Sequence, residues 1–279
     1  MVSASFVNSK EDILALRKLM HECKYFCKII AKIESSQGIK NLSEILEVAD
    51  GIMVARGDLG VEIEQSKLPK IQSDLISETI KAGKTVIVAT EMLESMINNP
   101  RPTRAETVDV ANAVYNGTSA VMLSAESAVG KYPDKAVKTM ADICLQAEKD
   151  IDYKRYFFNT TFHTQDIEDV ISHSSTSCSF KLNAKALVLY TTTGKTASMM
   201  ARFKPDTPII AITDNENVYN YLALEWNVIP VYSKINDVDI FDMATSVAKA
   251  HNIAKENDLI IVTTGTTDQI DNVMKICKI

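Results

Sequence analysis

The chain of 279 residues is 46% apolar and 24% charged, with nine Gly and seven Pro, which fits about two ordinary globular domains and excludes a disordered or collagen-like chain. Its 30 basic against 36 acidic residues leave a net charge of −6, an argument against nucleic acid or an anionic membrane surface as the main partner. No apolar run reaches the ~18 residues of a membrane span, Met1-Val2-Ser3-Ala4 opens without a signal-peptide pattern, and five scattered cysteines fit thiols in a reducing cytoplasm.

Short β-branched runs alternate with longer periodic segments. Strands are predicted at Val2–Val7, Lys28–Ile33, Gly51–Arg56, Thr85–Thr90 and Ala120–Ser124. Each is nearly all apolar, the pattern of strands covered on both faces. Between them, Ser9 with Asp12 three residues on predicts a helix start, and Ile13, Leu16 and Met20 follow at helical spacing. Leu42, Ile45, Leu46 and Ala49 make a second helical stripe, and Leu68, Ile71, Leu75 and Thr79 a third. Pro133 in a first turn, then Val137, Met140 and Cys144, make a fourth. Such alternation predicts a parallel sheet.

Tyr153–Thr164 is aromatic and polar without clear period and reads as a connector. A second block follows, with helices at Ile167–Phe180, Thr196–Phe203, Val218–Glu225 and Ile240–Lys255. Its strands are predicted at Ala186–Tyr190, Pro208–Thr213, Val228–Tyr232, Leu259–Thr263 and Val273–Lys278, a small doubly wound domain. The five cysteines form no C-x-x-C pair and the four His are widely spaced, so neither a disulfide framework nor a zinc site is expected.

In the first block, polar residues gather at the carboxyl ends of the strands, where parallel α/β proteins build their sites. Lys32 and Glu34 end the second strand, on one face of it by the period of two. Arg56, Gly57 and Asp58 follow the third, Thr90 and Glu91 the fourth, and Ser124 with Glu126 the fifth. Glu34 and Asp58 on neighbouring strands suit Mg²⁺, which takes one or two carboxylates and fills the rest with water and substrate oxygens. A lysine beside them can neutralise a phosphoryl group in transfer. Gly57-Asp58-Leu59-Gly60 can open a helical turn whose free N–H groups grip a carboxylate, with the Thr90 hydroxyl beside it. The plainer alternatives are a solvated strand end for Lys32 and Glu34, a surface ion pair for Arg56 with Asp58, and a strand terminus for Thr90.

In the second block, Thr191-Thr192-Thr193-Gly194-Lys195-Thr196 follows a strand and opens a helix. Hydroxyls, free N–H groups and a lysine there read either as a phosphate cradle or as an ordinary hydroxyl-capped helix start.

Cys27-Lys28-Ile29-Ile30-Ala31-Lys32-Ile33-Glu34-Ser35-Ser36-Gln37-Gly38-Ile39 resembles the active-site signature of the pyruvate kinases, Asp50-Gly51-Ile52-Met53-Val54-Ala55-Arg56-Gly57-Asp58-Leu59-Gly60-Val61-Glu62 their next barrel strand, Ala89-Thr90-Glu91-Met92-Leu93-Glu94-Ser95-Met96 with Pro100-Arg101-Pro102-Thr103-Arg104-Ala105-Glu106 the one after, and Met122-Leu123-Ser124-Ala125-Glu126-Ser127-Ala128 the last. The resemblance implies a partial (β/α)8 barrel of about five βα units over residues 1–152. A C-terminal α/β regulatory domain is implied over 165–279. It implies a cytoplasmic glycolytic enzyme that moves a phosphoryl group from phosphoenolpyruvate to ADP, with Mg²⁺ or Mn²⁺ and K⁺ as cofactors. The family is allosteric and tetrameric, so a homo-oligomer is implied. By match, Lys32 stabilises the transferring phosphoryl group, Glu34 and Asp58 hold the divalent metal, and Gly57, Asp58 and Thr90 bind the substrate carboxylate. Ser124 matches a residue of the path that protonates the enolate, and Arg56 lies in the family's active-site and subunit-contact region. Thr191, Thr192, Thr193, Gly194, Lys195 and Thr196 match the loop for a phosphorylated effector.

Two departures stand out. The first strand looks like the family's fourth, entered partway, so the first three strands, the lid domain and most groups for K⁺ and nucleotide are expected to be missing. Little activity is therefore expected from this chain alone. Gly265-Thr266-Thr267-Asp268 also makes a shorter last loop than the family's effector loop. The competing readings are an inactive effector-binding or assembly module and a Mg²⁺-dependent phosphoenolpyruvate-type lyase.

Overall fold

The computed structural model describes residues 1–160, 162, 166–234, 239–264 and 273–279. The expected short last loop at Gly265–Asp268 lies outside them. Tertiary contacts divide the chain into two units, Met1–Ile151 and Asp152–Ile279.

The first unit runs β1 (Val2–Ala4), α1 (Lys10–Glu22), β2 (Ile29–Ile33), α2 (Ser36–Lys40), α3 (Leu42–Val48), β3 (Gly51–Ala55), α4 (Arg56–Glu62), α5 (Leu68–Lys81), β4 (Thr85–Ala89), α6 (Arg104–Tyr115), β5 (Ala120–Met122), α7 (Ala125–Ala128) and α8 (Pro133–Asp150). Its five strands pair in sequence order, all parallel. The period of two sorts the side chains onto two faces. Ile29, Ala31, Ile33, Ile52, Val54, Val86 and Val88 join the large core with Ile13, Ile45, Leu75 and Ile76 of the helices. Ile30, Met53, Ile87 and Ala89 form a second cluster on the opposite face, with Ala120 and Met122. Burying each Ile or Val stabilises by roughly 1.5–3 kcal/mol, so a one-residue slip of any strand is strongly disfavoured. Gly51 lets β3 and β4 approach, since a Cβ there would lie 2.5 Å from the Thr85 carbonyl oxygen.

Several expected bounds shorten. β1 spans Val2–Ala4 and β5 spans Ala120–Met122, against the longer runs predicted at both places. Among the described residues each has a strand neighbour on one side alone, so nothing extends its ladder. The α1 start is as predicted: Asp12 Oδ2 accepts the N–H groups of Asn8 and Ser9 at 2.8 and 3.0 Å. The expected α4 turn and the helices on the Leu42, Leu68 and Pro133 stripes are present. Helix α6, outside the predicted stripes, carries a Thr103–Glu106 capping box.

The second unit contains α9 (Tyr153–Asn159), α10 (Ile167–Leu182), β6 (Ala186–Tyr190), α11 (Lys195–Ala201), β7 (Ile209–Thr213), α12 (Glu216–Leu222), β8 (Val228–Tyr232), α13 (Ile240–Ala250), β9 (Leu259–Thr264) and β10 (Val273–Lys278). The sheet order is β10-β9-β6-β7-β8, with β10 antiparallel to β9 and the rest parallel, a doubly wound sheet with one reversed edge. Pro230 sits in edge strand β8, where its missing N–H is tolerated. The connector reading of Tyr153–Thr164 is corrected over Tyr153–Asn159, which is helical. Asp152 caps that helix by accepting the Arg155 N–H at 3.0 Å, and Phe157 packs into an aromatic cluster with Phe180 and Phe203.

Candidate active site at the strand ends

Lys32 and Glu34 continue the parity of Ile30, which places them on the face of the smaller cluster, at the carboxyl edge of the sheet. Glu34 is fully buried. Its Oε2 accepts the Phe6 N–H at 2.6 Å, and its Oε1 lies 2.6 Å from Lys32 Nζ. Lys32 also donates to Ser5 Oγ at 3.1 Å. This ammonium–carboxylate pair, tied to the β1–α1 loop, is no solvated strand end.

One strand over, β3 turns directly into α4. The Gly57 N–H, one of the free donors of that first turn, donates to Thr90 Oγ1 at 2.8 Å. Asp58 is exposed in the same turn. Thr90 and Glu91 both take left-handed backbone, with φ of 67° and 53°. Arg56 is buried and holds them there: its guanidinium donates to the Thr90 carbonyl through Nε at 3.0 Å and Nη2 at 2.6 Å, and to the Glu91 carbonyl at 2.8 Å. Its ion pair is with Asp109 of α6, not with Asp58 as the surface-pair alternative had it.

At the last strand end, Ser124 precedes α7 and its N–H donates to Glu126 Oε2 at 2.8 Å. Glu126 Oε1 accepts the Leu93 N–H at 3.0 Å. That fully buried carboxylate joins the loop after β4 to the end of β5. The structure thus brings Lys32 to Glu34, and Arg56 and Gly57 to Thr90. Among the described residues, neither Asp58 nor Ser124 bonds to Lys32 or Glu34. Glu126, expected only as a polar residue at the fifth strand end, acts as a bridge between two loops, and Asp109 contributes without any sequence expectation. The Ser-x-Glu spacing after β5 signalled the first, while Asp109 lies 53 residues from Arg56 and no local pattern reveals it.

In the second unit, the neighbours of β6 on its two sides, β7 and β9, place the reversal of strand order at β6. Its carboxyl end carries Thr191–Thr196, the place where open α/β sheets take ligands. Gly194 has φ of 81° and its N–H donates to the buried Thr191 Oγ1 at 2.9 Å. Thr192 and Thr193 are exposed, Thr196 is buried. Lys195 is not a free cation: its Nζ is 2.5 Å from Glu168 and 3.6 Å from Asp166. The hydrogen bond to Glu168 pushes its pKa up.

The family model for the pyruvate kinase barrel domain matches residues 1–137, and that for the alpha/beta domain matches 169–278. The chain belongs to the pyruvate kinase family. It is 46% identical over 272 residues to the pyruvate kinase of Geobacillus stearothermophilus, covering 95% of this chain and 46% of the relative. To the Clostridium acetobutylicum pyruvate kinase it is 42% identical over 284 residues, covering 100% of this chain and 60% of the relative. To that of Staphylococcus aureus it is 44% identical over 285 residues, covering 99% and 48%. The chain therefore spans about half to three fifths of the length of these pyruvate kinases.

For a divalent ion, this pyruvate kinase segment offers acceptor-only carboxylates. Among the described residues no group of three or more His, Cys, Asp or Glu is placed to hold a metal by itself. Glu34 and Asp58 stand at adjacent strand ends, Glu34 with Oε2 on the Phe6 N–H and Oε1 against Lys32, and Asp58 exposed. No helix among the described residues is long and apolar enough to cross a membrane.

Proposed function

We propose that this chain supplies the phosphoenolpyruvate and metal side of a pyruvate kinase active site, for phosphoryl transfer to ADP giving pyruvate and ATP. The Lys32–Glu34 contact at the carboxyl edge, one strand from Gly57 and two from Thr90, is the observation that supports this best. The Lys32 ammonium offsets charge on the transferring phosphoryl group, which needs positioning and electrostatic stabilisation above all. The substrate carboxylate takes the place of the Gly57 N–H to Thr90 Oγ1 bond and of the Thr90 hydroxyl to Ala89 carbonyl bond, and is received by the Gly57 and Asp58 N–H groups with that hydroxyl. Arg56 keeps Thr90 in place for that contact. Glu34 and Asp58 would hold Mg²⁺ or Mn²⁺, which when bound supplies Lewis-acid polarisation of phosphoryl oxygens. Ser124, held by Glu126, lies on the proton route to the enolate carbon.

K⁺ serves the same site through residues largely outside this chain. A phosphorylated effector binds Thr191–Thr196 through backbone and hydroxyls, and the protein works as a homo-oligomer in the cytoplasm. A second reading, an effector-binding and assembly module without turnover, is favoured by the sheet edges at β1 and β5, which no further strand among the described residues covers. A coupled assay for ADP-dependent pyruvate formation separates the two. The chain is assayed alone and then mixed with a fragment carrying the family's first three barrel strands and lid. Activity appearing on mixing supports the half-site, and its absence with both fragments folded and associated favours the module.

A further inference from the structure

The second unit carries a groove of about 290 Å³ at the end of the sheet opposite Thr191–Thr196. Lys185 stands just before β6, whereas the loop follows that strand, so five residues, roughly 17 Å, separate the two places. Phe180, Ala184 and Pro208 give the groove an apolar floor, and Lys154, Asn183, Lys185 and Asp206 line it with polar groups. Two of its hydroxyls are already spent as donors. Ser179 Oγ donates to the Thr176 carbonyl at 2.8 Å, and Thr207 Oγ1 points to the Ala184 carbonyl at 3.4 Å and to Asp206 Oδ1 at 3.3 Å.

The donors left are the Lys154 and Lys185 ammonium groups and the Asn183 amide. Among the described residues neither lysine has an ion-pair partner, whereas Lys32, Lys67, Lys70, Lys81 and Lys195 each do. Two lysines against Asp206 make this groove locally positive on a chain of net charge −6. Ammonium groups serve as point charges for phosphate, and the volume exceeds what a bare phosphate fills, leaving the apolar floor for a small organic body. Asp206 is then placed to accept a hydroxyl of that body.

We infer that the groove between Lys154 and Lys185 is a binding site for a small phosphate monoester, separate from the Thr191–Thr196 loop. The inference does not rest on the catalytic reading above.

The test is equilibrium dialysis of the full chain with radiolabelled glycerol 3-phosphate, in a Thr193→Glu background that sets a carboxylate in the Thr191–Thr196 loop. Saturable binding should survive in that background. Lys154→Met and Lys185→Met should each weaken it about fivefold, and Lys154→Arg with Lys185→Arg should retain it. Inorganic phosphate should compete more weakly than the ester, and glycerol not at all. Trp226, the single tryptophan, reports folding of every variant and lies close by: its ring is 6.2 Å from that of Tyr153, and the Asn227 side chain donates to the Asp206 carbonyl at 3.2 Å. Three outcomes overturn the inference: no saturable binding in the wild type, binding abolished by Thr193→Glu alone, or binding unchanged in folded Lys154→Met and Lys185→Met proteins.

Discussion

Arg56 holds Thr90 in a left-handed backbone conformation that a β-branched residue rarely adopts, through two hydrogen bonds to the Thr90 carbonyl oxygen. Asp109 anchors the same guanidinium from α6. Strain at Thr90 is thus offset by a buried fork that also takes the Glu91 carbonyl.

Arg56→Met should therefore lower unfolding stability by about 2–4 kcal/mol, since it leaves carbonyls and Asp109 without their donor. Arg56→Lys should recover little of it, because an ammonium cannot reproduce the planar fork. Urea unfolding of the two variants checks this. A loss below about 0.5 kcal/mol for Arg56→Met would show that the loop holds itself.

Lys204 gives a pH-dependent prediction. It is almost wholly buried, with its ammonium 4.4 Å from the Trp226 ring centre, and burial depresses its pKa to about 7 while Glu225 acts the other way. A lysine that titrates at about 7 folded and 10.5 unfolded binds more protons in the unfolded state between those values, so stability rises with pH across that window. Because burial outweighs Glu225 and disfavours the ammonium, Lys204→Met should raise stability at pH 7 by about 1–3 kcal/mol. The advantage should shrink as pH rises toward 10.5. A variant less stable than wild type at pH 7, or an advantage independent of pH, would contradict the assignment.

The Thr191–Thr196 loop leads to a third expectation. Lys195 is engaged by Glu168 and Asp166, so phosphate binding there depends on backbone and hydroxyls more than on this cation. Lys195→Ala should weaken phosphate binding less than Thr193→Glu, which brings a carboxylate against the ligand. Calorimetric titration with a nucleoside monophosphate or sugar phosphate ranks them, and the reverse order would restore Lys195 as the main anchor.

The strands were legible because parity and β-branched runs give both faces away: Ile29, Ala31 and Ile33 fall in one cluster and Ile30 in the other. The site's positions were legible as strand ends. Their partners were not, because Arg56–Asp109 and Lys195–Glu168 are set by tertiary packing across long stretches of chain. Helix α9 hid because aromatic residues, weak helix formers, dominate Tyr153–Asn159, and its stability comes from Phe157 packing on Phe180 and Phe203. Helix α6 has a local signal in the Thr103–Glu106 capping box, but its weakly apolar face makes no clear stripe. The reversed direction of β10 had no sequence signal, since an apolar run does not state its polarity.

Turnover of phosphoenolpyruvate by these 279 residues alone should be negligible. Five parallel strands do not close an eight-stranded barrel, because strand number and shear are linked. The chain spans about half the length of its relatives, and a lost ADP contact would remove the positioning contribution of about 7–11 kcal/mol. A steady-state assay giving the roughly 1–100 s⁻¹ of ordinary kinases would contradict this.

The central claim, that Glu34 belongs to a metal and substrate half-site, is tested most directly by Mn²⁺ binding followed by water proton relaxation, with and without phosphoenolpyruvate. The wild type should bind Mn²⁺ weakly by itself, since few carboxylates are offered, and more tightly once phosphoenolpyruvate adds its oxygens. Glu34→Gln should lose that enhancement while keeping the wild-type circular dichroism and thermal unfolding, which report both units. Equal Mn²⁺ binding by wild type and Glu34→Gln, with no response to phosphoenolpyruvate in either, would remove Glu34 as a ligand and the half-site with it.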